Sequence, residues 1–169
     1  EGVKWTFKGA SCLPPEHARC LVRLSPEGGD AVEVRELVMD TRTFVDPEAG
    51  GFHLPEAKTD VAWIDADTIF VATDFGEGSL TTSGYPRVVK IWRRGTPLAE
   101  AETVLETDPE SIAVGPRRYF GDPPVDIVTE SLTYWTHRYH QWLDGALVPL
   151  SLPEDAVVAD RYRDGLLVQ

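Results

Sequence analysis

Ser83-Gly-Tyr-Pro-Arg-Val-Val-Lys-Ile-Trp-Arg-Arg-Gly-Thr-Pro-Leu-Ala-Glu-Ala-Glu-Thr-Val-Leu-Glu106 holds two apolar runs, 88–92 and 103–105, joined by a turn that begins at Gly95. The runs are rich in Val, Ile, Leu, Trp and Thr, residues that suit a pleated, half-buried surface. Three cations stand close together here: Lys90, Arg93 and Arg94. The segment can be read as a nucleic-acid contact, a piece of an active site, or one corner of a repetitive β structure.

The chain has 169 residues, 28 Asp and Glu against 16 Lys and Arg, and a formal net charge of −12. A reader of nucleic acid needs a basic field to displace counterions from phosphates, and this balance argues against one. On so acidic a body, Lys90, Arg93 and Arg94 are expected on a solvated strand face. The length suits one domain with a sizeable core, and 14 Gly and 13 Pro supply many turns. No apolar run is long enough to span a bilayer, and no cationic region leads into an apolar stretch at the start.

Strand signals recur along the whole chain. Residues 3–13 alternate Val3, Trp5 and Phe7 with Lys4, Thr6 and Lys8, the period of a half-buried strand. Strands are expected at 19–25, 31–39 and 43–45, with turns at 26–30 and 40–42. A compact hairpin follows at 61–73 around Asp65-Ala-Asp67, then a Gly/Ser/Thr loop over 76–84, then the opening stretch. Further strands are expected at 111–114, 126–128, 132–142 and 146–152, and another begins at 156. No amphipathic helix of useful length is expected, and residues 98–101 read as a turn.

Set side by side, three cycles share an ending of strand, turn and short strand: 34–39 with 43–45, 88–92 with 103–105, and 139–142 with 146–152. The period is about 50 residues with four strands each, which fits the blades of a β-propeller. The fold class expected is therefore all-β, a partial β-propeller of about three four-stranded antiparallel blades. Approximate blades cover 1–51, 52–108 and 109–155, with a fourth starting at 156–169. The opening stretch becomes the third strand of a blade, its corner and its outer edge strand.

Three segments then carry a family resemblance. They are Asp60-Val-Ala-Trp-Ile-Asp-Ala-Asp-Thr-Ile-Phe-Val-Ala-Thr-Asp-Phe-Gly76, the blade ending Val89-Lys-Ile-Trp-Arg-Arg-Gly-Thr-Pro-Leu98, and Phe52-His-Leu-Pro-Glu-Ala-Lys58 ahead of Val61-Ala-Trp63. Here the chain resembles the N-terminal β-propeller of the prolyl oligopeptidase family of serine peptidases, in its bacterial form. The resemblance implies an α/β-hydrolase domain on the same polypeptide, carrying a Ser-Asp-His triad. It also implies a closed propeller that admits only short peptides, and cleavage after proline. The triad lies in polypeptide absent from this chain, so the chain alone is expected to be inactive.

The residues themselves point the same way. A hydrolase nucleophile elbow needs Gly-x-Ser-x-Gly, and neither Ser79 nor Ser83 sits in that spacing. Asp74-Phe75-Gly76 lacks every other part of a kinase and reads as a strand end with a turn glycine. His137 and His140 on one strand point to opposite faces, which spoils a shared metal ion. Asp65 and Asp67 read as turn formers rather than an acid–base pair. Loop 76–84 has no Gly-Lys-Ser/Thr to cradle phosphate, and its length suggests a rim that touches a catalytic domain or gates substrate. Trp5, Trp63, Trp92, Trp135 and Trp142 are expected at strand positions, packing between blades rather than forming a sugar platform. No catalytic, cofactor-binding or metal-binding residue is expected in this chain, and no cofactor.

Cys12 and Cys20 flank Pro14-Pro15 in a plausible hairpin; two partly buried thiols are expected, with a cross-strand pair geometrically open. The chain starts at Glu1, carries Met39 as its single methionine and ends in a strand without a closing turn, which reads as an excerpt of a larger ring. Cut blade faces would expose apolar surface and favour self-association. The parent is expected to be soluble, cytoplasmic or periplasmic, with no nucleic-acid or membrane partner. A free-standing β-rich module for peptide or carbohydrate and a non-peptidase scaffold are the competing readings.

Overall fold

The computed structural model describes residue 2, residues 4–163 and residues 165–169. The expected strand start at Val3 and the turn residue Asp164 lie outside the described residues.

The first sheet runs in the order β1 (Trp5–Cys12), β2 (Arg19–Pro26), β3 (Val32–Val38) and β4 (Thr43–Phe44). It gains a fifth strand, β5 (His53–Ala57), which pairs with the earlier half of β3 through Val32↔Ala57 and Val34↔Leu54. The sequence reading opens the second cycle at residue 52, whereas β5 belongs to the first sheet by hydrogen bonding. The second sheet is β6 (Asp60–Asp65), β7 (Thr68–Ala72), β8 (Val88–Arg93) and β9 (Glu102–Glu106). The third is β10 (Ala113–Tyr119), β11 (Val125–Ser131), β12 (His137–Leu143) and β13 (Ala146–Pro149). A hairpin of β14 (Val158–Tyr162) and β15 (Gly165–Val168) begins a fourth. Every pairing is antiparallel between consecutive strands, apart from the β3–β5 crossover. This is a partial β-propeller.

Alternation decides which neighbour each residue meets. Along β7, Ile69 and Val71 join a cluster with Leu21, Val34 and Phe52 of the first sheet region, while Phe70 and Ala72 join Val114 and Val128 of the third sheet. All five β7 residues are buried, as befits a strand covered on both faces. A third cluster joins Tyr119, Ile127 and Tyr139 to Val158 of the last hairpin. First strands pack side by side, β1 against β6 and β6 against β10, and the outer strands β9 and β13 also meet. The sheets therefore stack face to face about a common inner edge.

Several expectations change. The strand foreseen over 132–142 begins only at His137; Thr133 caps a tight turn, accepting from Trp135 N–H (3.2 Å) and Thr136 N–H (3.1 Å). Trp135 is thereby held off the sheets and 80% exposed, so it packs between no blades. Trp5 and Phe7 do alternate with polar residues, but they are 44% and 66% exposed on an outward face of the first sheet. Residues 98–101, read as a turn, do form one: Leu98–Glu100 is a single 3-10 turn. Cys12 and Cys20 stand directly opposite across β1 and β2 and form a disulfide rather than two thiols.

Candidate functional site

The opening stretch supplies the first correction. Arg94 does not lie on a solvated face: its side chain is 19% exposed and reaches Glu36 on the neighbouring sheet, whose side chain is wholly buried. Arg94 Nη1 and Nη2 donate to Glu36 Oε2 and Oε1 at 2.8 and 3.1 Å, a two-pronged pairing that lysine cannot copy. Arg19 Nη1 donates to Oε1 at 2.6 Å, and Phe52 N–H to Oε2 at 3.0 Å. The same guanidinium holds Gly50 O (2.8 Å) and Asp67 Oδ1 (3.0 Å) and stacks over Phe52 at 4.5 Å. Burial alone would raise the Glu36 carboxyl; the bonds from Arg94, Phe52 N–H and Arg19 outweigh it and hold it below its ordinary value.

Local sequence prepares this clasp. Asp46 caps the short turn Pro47–Ala49 by accepting Glu48 N–H at 2.8 Å, which swings residues 50–52 across Glu36. At Gly51 a Cβ would lie 2.5 Å from Val45 O, so the chain passes here only because no side chain is present. Phe52 then sits edge-on to Trp63 and Trp92, with centroids 5.8 and 5.1 Å away. Of the other two cations, Lys90 lies over Phe75 at 4.7 Å and Arg93 is exposed.

A cleft of about 710 Å³ opens where the inner strands of the sheets converge. Arg23, Lys58, Arg117 and Arg118 line it, with Asp30 and Asp60 as the acids. Asp60 keeps an exposed surface, yet desolvation by the cleft walls pushes its carboxyl upward, against Arg23, the Val61 N–H and Arg117. Arg118 faces Asp126 across β10 and β11 at 3.3 Å. Asp126 Oδ1 is buried without a hydrogen bond, and burial, only partly offset by Arg118, raises that carboxyl to about 6.

The remaining candidates scatter. Ser79 Oγ accepts Phe75 N–H (2.8 Å) and donates to Gly76 O (2.6 Å), a loop-forming role. Ser83 Oγ and Thr81 Oγ1 donate to Ile112 O at 2.8 and 3.0 Å, tying loop 76–84 to the bend that leads into β10 of the third sheet. Asp74 Oδ1 accepts Gly76 N–H, and Asp65 Oδ1 accepts Asp67 N–H, both at 2.8 Å, as turn formers do. His137 contacts Ser131 Oγ at 3.2 Å, while His140, three places along the same strand, leaves Nδ1 unpartnered. Among the described residues no group of three His, Cys, Asp or Glu is placed to hold a metal ion. Sequence reasoning missed Glu36 altogether; its only trace was a Glu directly beside Arg35, out of step with the alternation of Val32, Glu33, Val34 and Arg35.

No family model matches the chain. An uncharacterized peptidase of Sinorhizobium fredii is 40% identical over 113 residues, covering 67% of this chain and 15% of that protein. An uncharacterized peptidase of Rickettsia prowazekii is 29% identical over 179 residues, covering 96% of this chain and 24% of that protein. The fold matches a post-proline cleaving enzyme of Rickettsia typhi with a TM-score of 0.88 at 23% identity, over 98% of this chain and 26% of the other. This chain is similar to bacterial peptidases in sequence and to the propeller portion of a post-proline cleaving enzyme in fold. Oligopeptidase B of Trypanosoma brucei shares the fold more distantly, with a TM-score of 0.68 at 19% identity over 97% of this chain and 22% of that one. The chain thus spans between 15% and 26% of the length of these relatives, as a propeller portion.

Proposed function

We propose that the chain is the propeller portion of a prolyl oligopeptidase-like serine endopeptidase and is inert by itself. Its work in the parent is to support an α/β-hydrolase domain on the same polypeptide and to limit access to short peptides. The 40% identity to a peptidase of Sinorhizobium fredii carries this reading, because it ties the sequence, and not only the fold, to peptidases. The successive sheets act as blades, so the clasp and the cleft hold a wall rather than a reaction centre. No helix among the described residues is long and apolar enough to cross a membrane.

The test compares the full-length parent on a short proline-containing reporter peptide and on a folded protein that displays the same sequence. Cleavage of the peptide alone is expected, and this chain alone should give no turnover. Turnover by the chain itself, or equal cleavage of both substrates, ends the proposal. Trp5, Phe7 and Phe44 on the first sheet and Tyr162 and Leu167 on the last hairpin are each at least 44% exposed. In isolation the chain should therefore self-associate through these faces. A monomer by light scattering at high concentration contradicts that.

A further inference from the structure

We propose that the cleft at the inner strands is a carboxylate site, which takes the free C-terminus or an acidic side chain of a peptide. This rests on the peptidase reading above. The chain as a whole carries 28 acids and 16 cations, yet the cleft reverses the ratio with Arg23, Lys58, Arg117 and Arg118 against Asp30 and Asp60. Low-dielectric walls focus such a field on whatever enters.

Three of these cations are short of acceptors. Arg23 gives Nη2 to Ser11 Oγ at 2.8 Å, but its buried Nε has no partner. Lys58 Nζ rests 3.8 Å from the Tyr85 ring centroid, with a long 3.5 Å contact to Ser83 O. Arg117 lies over Tyr119 at 4.7 Å and makes no ion pair among the described residues. Arg118 is committed to Asp126. A planar carboxylate supplies the paired acceptors that an arginine fork seeks. Asp60 accepts Val61 N–H at 3.0 Å and is seated against Gly115, where a Cβ would lie 2.8 Å from its Oδ2. An aspartate held in the same cleft disfavours a phosphate dianion, while a single carboxylate still meets a net positive wall. Phe120, 41% exposed, and Tyr85 add ring surface for the rest of a peptide.

The full-length parent is tested with one proline-containing reporter peptide, as the free acid and as the C-terminal amide. A short proline-free acidic peptide, its amide and inorganic phosphate are titrated calorimetrically in parallel. The acid forms should bind about tenfold more tightly than the amides, with the difference shrinking in salt. The double variant Lys58→Gln, Arg117→Gln should erase that preference, and Arg93→Gln, outside the cleft, should not. Gly115→Ala, which displaces Asp60 and spares the cations, should change the preference without abolishing binding. Equal affinity for acid and amide, a preference that survives the double variant, or phosphate competing as well as the peptide acid overturns the site. If no peptide is cleaved, the peptidase reading fails, and the titrations still judge the carboxylate site by themselves.

Discussion

The seam between the first and second sheets closes over a buried carboxylate and two guanidinium groups, whereas the seam between the second and third closes over aliphatic side chains. In the first seam Glu36, Arg94 and Arg19 meet beneath Phe52, and Trp63 Nε1 donates to Ser11 O at 2.8 Å. In the second, Phe70, Val89, Ile91, Val114 and Val128 interlock with no ion pair among them; the polar ties are those of loop 76–84 at the rim, Val114 N–H to Pro86 O at 2.9 Å, and the Arg118–Asp126 pair alongside. Apolar packing is tolerant of small rotations between sheets. A two-pronged ion pair is not, so the first seam is built for one relative placement and the second for burial.

The largest expected effect comes from Glu36→Ala, which removes the buried acceptor shared by Arg94, Arg19 and Phe52 N–H and should cost about 3 kcal/mol in denaturant unfolding. A loss under about 1 kcal/mol would mean that water reaches the clasp and the contrast between seams is false. Arg94→Lys keeps the charge but loses the fork, Gly50 O and the stack on Phe52, for about 1–3 kcal/mol. Ile91→Val in the aliphatic seam should cost about 1 kcal/mol and leave pH dependence untouched.

The same contrast can be sharpened by pH, because the two seams titrate with opposite sign. Glu36 is held below its ordinary 4.5, so its contribution is fully present above that value and is lost as pH falls through the folded pKa. Glu36→Gln should flatten that acid limb. Asp126 shares its face with Val128, towards the second sheet, and its carboxyl is raised from 3.8 to about 6. The folded form therefore binds the proton more tightly, and stability falls as pH rises through that interval. Asp126→Asn should remove this decline, measured as unfolding midpoint against pH; an unchanged slope would show Arg118 neutralising it fully.

Loop 76–84 also behaves differently from a free flap. Ser79 and Thr81 are buried, and three side-chain or backbone bonds reach Ile112 and Pro109. Deleting residues 77–83 should thus destabilise the second seam as well as alter peptide kinetics in the parent. Kinetics changed at full stability would restore the loop as a gate alone.

Strand periods, turn chemistry and the repeated blade ending were readable because each depends on neighbours in sequence: Val88 to Trp92 declares a strand wherever it is placed. The end of β4, the disulfide and β5 were harder. His53–Ala57 contains Pro55 and two exposed residues, and it becomes a strand only because β3 offers it a free edge. Trp135 looked like the other tryptophans until Thr133 and Thr136 closed a turn around it. Arg94 and Glu36 lie 58 positions apart, and no local pattern links them.

By itself the sequence determined an all-β chain of repeated four-stranded units, since alternation and turns are local properties of the backbone. Tertiary structure alone decided which charges are buried together, where the cations of an acidic protein gather, and which aromatic side chains stay in water. Those outcomes depend on solvent exclusion between sheets, a quantity that exists only once distant strands have met.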